Sequence, residues 1–86
     1  MHYRLNQVEQ VFVPNLETND IISHYGATFR IISRHDAVDC VSFKTECLES
    51  EGTSIPKHWL NDWTVQGNFH ATVRRVTDPA VRARFA

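Results

Sequence analysis

Glycine is scarce in this chain: Gly26, Gly52 and Gly67 are the only three in 86 residues. A phosphate-cradling loop or a dinucleotide fingerprint needs several glycines within a few positions, so that backbone can approach a ligand closely. Neither pattern fits here, and the Gly-x-Ser-x-Gly turn of a serine hydrolase is missing too. Cysteine is rarer still, with Cys40 and Cys47 alone. A small secreted domain generally carries more cross-links than two cysteines allow, so the count predicts reduced thiols. Placed on one strand seven residues apart, they would face opposite sides, which disfavours a bridge.

No apolar run approaches the roughly 18 residues of a bilayer span, and the opening MHYRLNQVEQ lacks the apolar block of a secretory signal. A cytoplasmic protein with no membrane attachment is expected. Closed zinc sites use close pairs such as Cys-x2-Cys or His-x3-His, and His24, His35, His58 and His70 form none. His35, Asp39 and Cys40 lie near one another in sequence, but in no ligand spacing. No metal and no cofactor is expected. Cys40 beside His35 or His70 could be drawn as a thiolate and base, although a small buried residue between Val38 and Val41 accounts for it more simply.

Net charge is −1, which excludes a simple polybasic binder. Its distribution is uneven. Residues 1–68 carry five basic against nine acidic side chains, a net of −4, whereas residues 69–86 carry four arginines against Asp78, a net of +3. Seven of the nine basic residues are arginine, which suits directional recognition of carboxylate or phosphate.

What the chain does have is a period of two between Trp63 and Val73. Trp63, Val65, Gly67, Phe69, Ala71 and Val73 alternate with Thr64, Gln66, Asn68, His70, Thr72 and Arg74. That pattern predicts one long strand with an apolar face inward and a polar, partly cationic face outward. Upstream, residues 3–13 read as a first strand ended by Pro14 and Asn15. Residues 16–25 read as a short helix capped by Thr18 or Asn19 and closed by Gly26. Residues 27–34 and 38–45 read as a hairpin turning at 35–37, followed by an acidic loop over 46–54. Pro56 opens a short helix, and Asp78-Pro79 starts another at the tail.

Four strands with one or two helices predict an α+β fold: a four-stranded, mainly antiparallel sheet with one face covered by one or two short helices. Nothing divides residues 1–86, so a single compact domain is expected. Among functions, recognition of another protein fits best. Trp59 and Trp63 are large apolar residues able to anchor a partner, with His70, Arg74 and Arg34 supplying directional polar contacts. A small non-catalytic regulator or inhibitor acting by surface occlusion is therefore expected, and a homodimer through an exposed strand such as 3–13. The alternatives are a nucleic-acid binder using the same basic row, and a small enzyme whose site assembles between subunits.

Overall fold

A turn of four residues dictates the shape of this molecule. The computed structural model describes residues 3–85, which contain six strands: β1 (Val8–Phe12), β2 (Ile21–His24), β3 (Ala27–Asp36), β4 (Val41–Glu49), β5 (Thr64–Gly67) and β6 (Thr72–Val76). They form one antiparallel sheet in the order β1-β6-β2-β3-β4-β5. Consecutive strands β5 and β6 thus lie four strand positions apart. In a flat sheet that separation is about 19 Å at the usual interstrand spacing. The connecting residues 68–71 cannot reach so far, because the Ala71 N–H bonds the Asn68 carbonyl at 3.2 Å. The sheet must therefore curl until its ends approach.

The seam is visible where they meet. The Val13 N–H, just past β1, donates to the Ala71 carbonyl at 2.9 Å, which carries the β1–β6 ladder one pair further and sets Val13 against the end of β5. Gly67 at the end of β5 packs so closely there that a Cβ on it would stand 2.6 Å from Ala71 Cβ and 3.1 Å from Val13 Cγ2. Bending is helped by two register shifts in the β3–β4 ladder, which leave Leu48 and Ile32 without opposite partners. Such bulges sharpen local twist.

Curling encloses the main core. Val13, Leu16, Ile22, Phe29, Ile31, Val41, Phe43, Val65 and Val73 bury together, and Ile55 and Leu60 close one end. The opposite face of the sheet carries a smaller cluster of Ile21, Val76 and Val81. Adjacent residues Ile21 and Ile22 belong to different clusters, as strand alternation requires. Two short helices complete the fold: α1 (Lys57–Leu60) contributes Leu60 to the main core, and α2 (Pro79–Arg84) contributes Val81 to the smaller one. The Asp78 carboxylate caps α2 by accepting the Ala80 N–H at 2.9 Å.

This arrangement corrects the four-stranded expectation, for two local reasons. Residues 16–25 are not a helix. Asn19 takes a left-handed φ of 75°, the Asp20 side chain accepts the Glu17 N–H at 2.8 Å, and the β-branched pair Ile21-Ile22 continues as β2. The long alternating stretch is also not one strand. Asn68 breaks it by accepting the His70 and Ala71 N–H groups on Oδ1 at 2.9 and 3.0 Å, a side-chain-made turn. Phe69, expected inward, consequently stands 62% exposed at that turn. The helices do not form a covering layer either, since the main core is enclosed by the sheet itself.

Gly67→Ala tests the seam. Its added methyl overlaps side chains that are held by the Val13–Ala71 hydrogen bond. The expected loss of stability is about 1–3 kcal/mol, read as a lower urea midpoint. An unchanged midpoint would show that the seam yields freely.

Candidate aromatic groove and polar cleft

The turn between β2 and β3 has only two residues, Tyr25 and Gly26. His24 pairs with Ala27, and both turn residues hold positive φ, 50° and 78°. This is the type I′ geometry that matches strand twist and ordinarily takes Asn-Gly. A tyrosine there costs about 1–2 kcal/mol of backbone strain, so its neighbours must hold it. They do. The Tyr25 carbonyl accepts the Thr53 hydroxyl at 2.7 Å and the Ser54 N–H at 3.4 Å, tying the loop after β4 to the turn. Tyr25 itself projects with 63% of its surface exposed.

Trp63, immediately before β5, is fixed on several sides. Its ring stacks on Phe29 with centroids 6.1 Å apart, and it meets Tyr25 at a near-perpendicular 83°. Its carbonyl accepts the Thr45 hydroxyl at 2.5 Å, and its indole N–H donates to His24 Nδ1 at 3.2 Å. Burial holds the His24 imidazole below its ordinary pKa, keeping the neutral acceptor form. Trp59 on α1 is 54% exposed. Together Tyr25, Trp59 and Trp63 wall a groove of about 180 Å³, with Ile55 and Pro56 completing its apolar lining.

Beyond Tyr25 lies a polar cleft of about 280 Å³, in which Gln10, Ser23, His24, Thr72 and Arg74 take part. Tyr25 lines both concavities. A larger hollow of about 590 Å³ beside α2 is lined by Ile21, Arg30, Arg82 and Phe85. Its Arg30 is already engaged by Glu46 at 3.1 Å and by the Phe85 carbonyl.

Of the residues singled out from sequence, the fold brings Trp59 and Trp63 into the groove and Arg74 into the cleft. His70 lies in the Asn68 turn rather than in a row with Arg74, and it lines neither concavity. Arg34 is occupied elsewhere, donating to Asp36 at 3.0 Å and to the Pro14 carbonyl at 2.8 Å while lying over Phe43. Tyr25 was missed, having been assigned to a helix. Gly26 between two runs rich in β-branched residues signals a turn, but tyrosine is not among the residues that ordinarily mark a two-residue hairpin loop.

Both cysteines are free thiols. Burial pushes the Cys47 thiol up, which makes it a poor nucleophile at neutral pH. Cys40 receives the Gln66 amide at 3.6 Å, with neither His35 nor His70 as its partner. No group of three or more potential metal ligands occurs among the described residues, nor does any helix among them long and apolar enough to cross a membrane.

The depressed pKa of His24 sets a pH dependence. An unfolded chain takes up the proton near the ordinary value of 6.5, while the folded site resists it. The contribution is therefore complete above pH 6.5 and is lost as pH falls below it. His24→Gln keeps an acceptor for the Trp63 indole and removes the titration. Thermal melting followed from about pH 7.5 to 5 should show a shallower decline in the variant than in the native protein. Parallel curves would exclude His24 as the source.

No family model, curated protein or solved structure matches this chain.

Proposed function

We propose that this protein is a non-catalytic protein-binding module that regulates or inhibits its target by occlusion, receiving an apolar segment of the partner in the Tyr25–Trp59–Trp63 groove. The observation that supports this reading is three aromatic side chains converging on one concavity, two of them more than half exposed, although each could bury in a core of this composition. Large rings held rigidly bury much area at low entropic cost when a partner covers them. The Tyr25 backbone strain points the same way, since strained positions persist where surrounding structure holds them for a purpose.

A polyanion suits this surface less well. Arg30, Arg34 and Arg75 each already face carboxylates, and the loop bonded to Tyr25 follows Glu49 and contains Glu51. The basic sheet face that would serve nucleic acid is thus broken up. The reading also includes a homodimer. β1 ends the sheet, no described strand pairs with its outer edge, and Leu5 and Phe12 beside it are exposed. We place the protein in the cytoplasm, where two free thiols would stay reduced.

Trp59→Ser tests the groove. The side chain is largely outside the core, so stability should change by less than about 0.5 kcal/mol, while recovery of the partner by affinity capture from native lysate should fall at least about tenfold. Equal recovery by both proteins would remove the groove from consideration. Light scattering at micromolar concentrations should give twice the chain mass, and Gln10→Pro in β1 should return it to the monomer. A monomer mass for the native chain refutes the dimer.

A further inference from the structure

Building on the groove reading above, we propose that the cleft on the far side of Tyr25 is a carboxylate-binding site. The recognised segment then carries an acidic side chain or a free C-terminus next to its apolar anchor.

Three of the four arginines on the strands already face carboxylates. Arg75 donates to Glu9 and Asp20, Arg30 to Glu46, and Arg34 to Asp36. Arg74 has no carboxylate within reach among the described residues. It lies instead between Gln10 of β1 and Ser23 of β2, its cross-strand partners. The Gln10 amide in turn donates to the Thr72 hydroxyl at 2.7 Å. His24, the remaining titratable group lining the cleft besides Tyr25, stays neutral through burial.

One exposed arginine thereby shares the lining of a concavity with neutral hydrogen-bonding side chains. That arrangement matches a planar, singly charged oxyanion, because a guanidinium donates two parallel N–H groups and hydroxyl or amide neighbours can satisfy the remaining lone pairs. The charge count selects the ligand. A nucleic-acid backbone requires a succession of cations, whereas the cleft offers one, and the loop on the other flank of Tyr25 bears Glu51. A single carboxylate, held beside a side chain that packs on Tyr25 and Trp59, meets both conditions.

Three short peptides test this by amide shifts in ¹⁵N-labelled protein: acetyl-Pro-Phe-Glu-amide, its Gln counterpart, and acetyl-Pro-Phe with a free carboxyl group. All three should shift Tyr25 and the Trp59 indole. At least one acid should bind about fivefold more tightly than the Gln peptide, and the tighter of the two identifies the source of the carboxylate. R74Q should erase that preference, while R82Q, which removes the same charge elsewhere, should keep it. Groove shifts with equal affinity for the Glu and Gln peptides overturn the carboxylate site and leave the groove standing. No shift at Tyr25 or Trp59 with any peptide overturns both. Tighter, Arg74-dependent binding of an oligothymidine replaces both with a nucleic-acid site.

Discussion

Closure of the sheet through the Asn68–Ala71 turn is the constraint on which the remaining structure rests. Every strand position follows from it, because β5 and β6 can be consecutive in sequence and distant in sheet order only if the ladder wraps around. Wrapping supplies a core without a layer of long helices. It also explains Gly67, whose missing side chain is the space through which the two ends of the ladder pass. With only α1 and α2 available, a flat sheet of these strands would leave Phe29, Phe43 and Val65 inadequately covered. Here all three are buried to within 2% of full.

The aromatic groove is a by-product of that wrapping. One end of the curled sheet is closed by the loop after β4 and by α1, and the tight β2–β3 turn reaches over the same end. The hydrogen bonds to the Tyr25 carbonyl join these pieces, so the rings of Tyr25, Trp59 and Trp63 are placed by backbone contacts rather than by each other alone. Trp63 has a double role. Its stacking on Phe29 belongs to the core, while its indole edge and Tyr25 contact belong to the surface. Packing order inside the protein is thus transmitted directly to the groove wall.

How much of this was legible in the chain depends on range. Local signals read correctly where they were strong: Asp78-Pro79 does start α2, Pro56 does precede α1, and β3 and β4 do form a hairpin, although its turn falls at residues 37–40 and β4 runs on through Glu46–Glu49, which read as loop. Alternation failed between Trp63 and Val73 because a period of two is indifferent to direction. Val65 and Val73 both point inward, yet from strands on opposite sides of the curl, and the Asn68 side chain that separates them is a single polar residue among several. Residues 16–25 failed because caps and spacing outweighed the β-branched pair at Ile21-Ile22. The groove was half legible, since two tryptophans suggest an anchor, but their meeting with Tyr25 depends on a turn more than thirty residues away. His70 and Arg34 join neither the groove nor the cleft, because their surroundings are set by the Asn68 turn and by the Pro14 carbonyl, which sequence spacing does not connect to them.

The pairing of β1 with β6 has a consequence for how the chain comes into being. Val8 sits opposite Val76, and Phe12 opposite Thr72, so the first strand waits for nearly the last. On a ribosome, the β2–β3–β4 hairpins can associate early from near neighbours in sequence, whereas β1 has no place to settle until residue 76 has cleared the exit tunnel. Until then the apolar side chains around Val13 lack the cover that Ala71 and Val73 supply.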